Sequence, residues 1–282
     1  MSYVKTGLLM AGLTALFGAV GYLLAGQQGM LVALAIAVAI NLFAYWNSDK
    51  LALARFRAEP ASEANAPGLT ALIAQLCERA QLPTPRVYLI PGEQPNAFAT
   101  GRDPDHAALA VTAGLLRHLS HEEIAGVLSH ELAHIKNRDT LIMTMTASFA
   151  GAIGMLANFA LFFGRRRDNP LGPLGAILVM ILAPLGAMLV QMAISRTREY
   201  AADAKGAEIS GRPLWLASAL EKLGVLSRRI DFHTAEAHPA SAHLFIVNPL
   251  HLNKVGSLFS THPRLEDRIE RLQALARSMG QL

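Results

Sequence analysis

Two histidines four residues apart flank a carboxylate in His130-Glu131-Leu132-Ala133-His134. On a helix, positions i and i+4 lie about 40° apart, so both imidazoles reach one ion while Glu131, about 100° from His130, stands beside them. This is the H-E-x-x-H spacing of a two-histidine zinc site with a carboxylate left free as a general base for water. Counting about 100° per residue puts Glu131 in the middle of an apolar stripe formed by Ile124, Val127, Leu128 and Ile135. Glu122, Ser129 and Lys136 fall on the opposite side, which is predicted to face solvent. A carboxylate on a buried stripe is costly unless it is used there, and activating a metal-held water is such a use.

A catalytic zinc keeps three protein ligands and an open position, so one more ligand is required. The chain has one cysteine, Cys77, which excludes an intramolecular disulfide and a thiolate cluster and leaves histidine and carboxylate as ligand types. Glu199 is the best-placed candidate. It lies just past an apolar run ending at Ile194, and His134 lies just before one starting at Leu141. If those runs pair as an antiparallel hairpin, both ligand sets emerge from the same end. Asp203, one turn beyond Glu199, could then accept a hydrogen bond from a ligand imidazole and fix its tautomer. The plainer reading is a helix on which Glu199 and Asp203 pair with Arg196 and Arg198.

These residues must be positioned by a chain that is 52% hydrophobic and only 16% charged over 282 residues, which points away from an ordinary soluble domain. Residues 7–26 and 30–46 are two nearly charge-free runs joined through Gln27, Gln28 and Gly29, and residues 141–163 and 174–194 are two more, joined by a turn containing Arg165, Arg166 and Arg167. Each pair predicts a transmembrane hairpin. Between the pairs, a Pro, Ala and Glu-rich linker at 58–68 precedes an amphipathic helix near 69–80, then strands at Arg86–Ile90 and Ala107–Thr112. Ser120 and Glu123 form a capping box that starts the zinc helix, predicted to run to about Arg138. The fold class is therefore mainly α with a small, mostly antiparallel sheet (α+β). The predicted division is 1–57 for the first hairpin, 58–140 for the first part of a catalytic domain, 141–194 for the second hairpin and 195–282 for the second part. The formal charge of +4 carries no clustered basic stripe, so the partners expected are a lipid bilayer and a protein or peptide substrate, with no nucleic acid. Lys5, Lys50, Arg55, Arg57, Lys136, Arg138, Arg196 and Arg198 flank one side of a four-span arrangement, which the positive-inside rule makes cytoplasmic; Arg165 to Arg167 run against it.

The sequence resembles the HtpX-like membrane zinc metalloproteases, relatives of the CAAX prenyl proteases. The resemblance rests on Asn96 to Gly101, Leu115-Leu116-Arg117, His130 to Asp139, Ser195 to Asp203, Ala242 to Ile246 and Thr261-His262-Pro263. It implies a gluzincin-type site holding one Zn2+ per chain, with His130, His134 and Glu199 as ligands and Glu131 as catalytic base. Asp139 joins Asp203 as a carboxylate supporting the ligands. It further implies four membrane segments, a bacterial inner membrane, an active site facing the cytoplasm, and misfolded or damaged membrane proteins as substrates. His262 and Arg268 are implied near the scissile carbonyl, although Pro263 at a helix start also explains His262 as a simple cap position. An extended substrate is expected along an edge strand within 96–112, which brings in Asn96, Ala97 and Phe98; Asn96 after Pro95 reads equally well as a turn residue. Two rival readings are an intramembrane protease, disfavoured by the charges of Glu122, Glu123, Lys136, Arg138 and Asp139 on the zinc helix, and a metal-bearing scaffold or chaperone without turnover.

Overall fold

The computed structural model describes residues 2–150, 153, 196–250 and 263–281. In chain order the helices are α1 (Ser2–Trp46), α2 (Ser48–Arg55), α3 (Leu69–Ala80), α4 (Ala113–His118), α5 (His121–Lys136), α6 (Thr140–Ala150), α7 (Arg196–Ser210), α8 (Pro213–Leu226), α9 (His233–Glu236) and α10 (Leu265–Ser278). Four strands, β1 (Glu59–Pro60), β2 (Arg86–Ile90), β3 (Ala97–Gly101) and β4 (Ala107–Thr112), form one sheet in the order β1-β2-β4-β3.

Within α1 the chain reverses at Gly26, whose φ of +60° suits a residue without a side chain. The two arms pack on each other: Asn41 Nδ2 donates to Thr14 Oγ1 at 2.8 Å and to the Met10 carbonyl at 3.3 Å. The second arm, Gly26–Trp46, is 21 residues long with a mean hydropathy of 2.0. Of the second predicted hairpin, only α6 and Ile153 lie among the described residues.

The sheet is mixed. β1 pairs antiparallel with β2 and β3 antiparallel with β4, but β4 runs parallel to β2. The cause is the return strand β3: it reverses direction after β2, and the tight turn 102–106 reverses it again, so β4 inserts between them in the direction of β2. The segment 58–68, read as a linker, supplies β1 and a turn in which Asn65 Oδ1 accepts the Ser62 amide at 2.7 Å.

α5 lies in the middle of the domain, between β3 on one side and α3, α7 and α8 on the others. Of its predicted solvent face, Glu122 and Lys136 are exposed, but Ser129 is buried along with every other residue from Glu123 to Ile135. The wheel located the apolar stripe, but neighbouring helices cover the polar side as well. Gly206 permits the closest approach: a Cβ there would sit 2.9 Å from the His130 backbone nitrogen.

Candidate active site

The zinc helix starts where the capping box predicts. Ser120 Oγ accepts the Glu123 amide at 3.3 Å, and Glu123 Oε2 accepts the Ser120 amide at 2.8 Å. Glu123 also accepts hydrogen bonds from Ser218 Oγ at 2.6 Å and Lys222 Nζ at 2.8 Å, tying α5 to α8. With the helix held from both sides, the His130 and His134 rings meet edge-on, centroids 4.7 Å apart, with their Nε2 atoms 3.1 Å from each other.

Glu199, Asp203 and Gly206 fall at i, i+4 and i+7 on α7, a single face. The contact at Gly206 presses that face onto α5. As a result Glu199 Oε1 lies 3.5 Å from His134 Nε2, and Glu199 Oε2 lies 3.7 Å from His130 Nε2. Asp203 Oδ1 lies 2.9 Å from His130 Nδ1. Asp139 reaches His134 Nδ1 at 3.4 Å, because Arg138 takes a left-handed φ of 59° and the Asp139 amide donates back to the His134 carbonyl at 3.0 Å.

This donor set fits zinc. With each Nδ1 facing a carboxylate, the tautomer of both rings is set so that the Nε2 lone pairs converge on one point. Two lone pairs 3.1 Å apart repel unless a cation or proton lies between them. In a tetrahedron with bonds of about 2.0–2.1 Å the ligand atoms stand about 3.3 Å apart, close to the observed spacing. His130, His134 and Glu199 present ligand atoms all within 4.8 Å of one another.

The charges are arranged around burial. Burial pushes the Glu131 carboxyl up to about 8, although the charge of His134 and the Ala99 backbone amide facing it pull the other way. Burial pulls both imidazoles down, and His130 stays below its ordinary value; for His134 the Asp139 hydrogen bond and the charges of Glu199 and Glu131 reverse this and raise it to about 9. Asp203 is also penalised by burial, but the Arg268 guanidinium and the His130 hydrogen bond hold it below the usual carboxylate range.

The profile of Peptidase family M48 matches residues 63–276, most of the chain and all of the site just described. The chain belongs to peptidase family M48. M48 peptidases are zinc metalloproteases, in agreement with the resemblance to HtpX-like enzymes and with the ligand set. Among solved structures, Ste24p of S. mikatae is similar, with a TM-score of 0.54 and 18% identity, a likeness of fold. The match covers 96% of this chain and 64% of Ste24p, so the chain spans under two thirds of that protein's length.

The other expected site residues of this M48 chain, His262 apart, have definite surroundings. Arg268 is fully buried: Nε donates to Asp203 Oδ2 at 2.9 Å, Nη2 to Asp203 Oδ1 at 2.7 Å and Nη1 to the Ile246 carbonyl at 3.1 Å. His262 lies outside the described residues. Asn96 Nδ2 donates to the Val247 carbonyl at 2.8 Å, and the Ala97 carbonyl accepts the Ile246 amide at 3.2 Å. Phe98 turns to the other side of β3, its ring 5.2 Å from Phe245 and 5.5 Å from Phe56. His243 is buried, with Nε2 3.1 Å from the Met143 carbonyl. Sequence reasoning missed Gly206, Ile246 and the second role of Glu123. Only Gly206 had a readable signal, its place on the Glu199–Asp203 face.

Proposed function

We propose that the chain is a zinc endopeptidase anchored in a bacterial inner membrane, with its active site on the cytoplasmic side and misfolded or damaged membrane proteins as substrates. The observation that carries the peptidase reading is the convergence of His130, His134 and Glu199, with Glu131 buried beside them and outside the ligand set. One bound Zn2+ supplies a Lewis acid that polarises a peptide carbonyl and acidifies a water. Glu131 takes the proton from the attacking water and passes it to the departing amine. Asp203 and Asp139 hold the imidazoles. Arg268 fixes Asp203 and also stands 3.6 Å from the Glu199 carboxylate, and the developing oxyanion is offered His262 or Arg268, as the family resemblance implies.

The anchoring reading rests on α1. Leu31, Val32, Ile36, Leu42, Phe43 and Trp46 are apolar and exposed along one arm, which suits lipid tails and not water. Lys50, Arg55 and Arg57 follow that arm directly, which supports a cytoplasmic catalytic domain. The division into an anchoring hairpin at 1–57, catalytic parts at 58–140 and 195–282, and a second hairpin at 141–194 follows from the same reading. An unfolded polypeptide as substrate suits a site built beside a strand edge, where backbone hydrogen bonds are indifferent to side-chain identity.

Glu131→Gln tests the assignment. The variant should bind zinc like the wild type and lose cleavage of a permanently unfolded polypeptide by at least about 100-fold, the range expected for a positioned general base. Equal turnover by the variant and wild type would refute the mechanism, and absence of turnover in a zinc-loaded wild type would favour a scaffold.

A further inference from the structure

The antiparallel pairing of β3 with β4 assigns the backbone groups of β3 alternately inward and outward. Asn96 gives its carbonyl to the Thr112 amide of β4, so Ala97 and Ala99 direct their polar groups away from β4, along the free edge. That edge runs past the site, since β3 packs against α5 and the Ala99 amide faces Glu131. An incoming peptide strand would therefore need the Ala97 carbonyl, and the side-chain carboxamide of Asn96 lies next to it.

Both are taken. The Ile246 amide donates to the Ala97 carbonyl at 3.2 Å, and Asn96 Nδ2 donates to the Val247 carbonyl at 2.8 Å. Phe245 is extended, with φ −79° and ψ 149°, and leads Ile246 onto the edge as a strand would arrive. The Ile246 carbonyl, on the other side, accepts from Arg268 Nη1 at 3.1 Å, and Arg268 clamps the Asp203 that holds His130. The segment is anchored upstream by Phe245, whose ring stands 4.9 Å from Phe56 and 5.2 Å from Phe98, and by Ser241, which accepts from Arg55.

We propose that residues 245–247 form an internal strap that holds the place of substrate on the β3 edge, and that an extended polypeptide must displace Ile246 and Val247 to pair with Ala97. The inference rests on the peptidase reading and deepens it. The strap competes with substrate for the same two groups, so a folded domain that offers no free strand does not open it, whereas an unfolded segment does. Ile246 and Val247 are buried against the core around α5, so the open form is a minority until substrate captures it.

The experiment is hydrogen exchange on the zinc-loaded, full-length Glu131→Gln protein in detergent, with and without saturating carboxymethylated casein, binding being followed by anisotropy of labelled casein. Exchange in the peptide covering 242–250 should rise by about tenfold or more on binding, while β4 stays protected. Bound casein with unchanged or slower exchange at 242–250 overturns the strap and makes it a fixed wall of the cleft. Failure of casein to bind at any concentration overturns it also, since nothing then competes for the edge. Cleavage of casein by the wild type reads the peptidase assignment separately. A zinc-loaded wild type that leaves casein intact fails that assignment, and the exchange result still decides the strap.

Discussion

The two histidines of the H-E-x-x-H motif are braced in different ways. His134 leans on Asp139, five residues along the same chain, through a local turn and a 3.4 Å contact. His130 leans on Asp203 of α7 through a 2.9 Å contact, and Asp203 is held by both Nε and Nη2 of a fully buried Arg268 from α10. Four separate pieces of the chain, α5, α7, α10 and the segment at Ile246, meet in the second brace, whereas the contact of the first is made within one and α7 adds only the charge of Arg198 facing Asp139. A local brace persists whenever its helix ends correctly. The tertiary brace exists only when the whole domain is assembled, so it couples zinc binding at His130 to global stability.

Removing the ligand common to both arms gives the largest effect. Glu199→Ala should weaken zinc binding, measured by competition with a chromophoric chelator, by more than the roughly 10–100-fold typical of losing an outer partner. A smaller loss would mean that another group completes the site. The braces themselves come next. Asp203→Asn should weaken zinc by about 10–100-fold and, by leaving the Arg268 charge unbalanced in the interior, lower stability to urea by about 3–5 kcal/mol. Asp139→Asn should stay near tenfold in zinc affinity and cost about 1 kcal/mol in stability, the scale of one hydrogen bond. Equal losses for the two substitutions would erase the distinction drawn between them.

Gly206→Ala sharpens the comparison further, because the added methyl sits 2.9 Å from the His130 nitrogen and pushes α7 off α5. Destabilisation of about 1–3 kcal/mol is expected, with the loss of zinc affinity exceeding that of Asp139→Asn if α7 carries the brace. The smallest effect concerns pH. Burial penalises the Glu123 carboxylate, but Lys222, Ser218 and the Ser120 amide outweigh it and hold Glu123 below its ordinary 4.5. A depressed carboxyl lends stability above its unfolded value, and that stability is lost as pH falls through the folded one. Wild type should thus exceed Glu123→Gln by about 1 kcal/mol at neutral pH, with the gap closing below about pH 4 in urea titrations.

Much of the local structure was legible in the sequence. α3 and α5 begin and end close to where periodicity and capping put them, and β2 and β4 have the predicted bounds. β3 was legible only as an edge strand expected within 96–112, without bounds of its own, since a fully buried strand shows no alternation. The burial of Ser129 was hidden because a hydrophobic wheel registers the side of a helix that must be covered, not the sides that neighbours happen to cover. The edge expected to receive substrate was located, but its occupation by Ile246 depends on main-chain atoms, which carry no sequence signature.

By itself the sequence determined which residues can serve as ligands and base, because helical spacing and capping are properties of a short stretch: His130, Glu131 and His134 need only one helix to share a face. It also placed Glu199 among the candidates and marked the apolar runs. Only the tertiary structure decided that Glu199 reaches the same point as the histidines, that Arg268 turns inward to Asp203, and that Ile246 covers Ala97. Those outcomes hinge on how closely α7 and α10 approach α5, and that distance is set by packing among residues far apart in the chain.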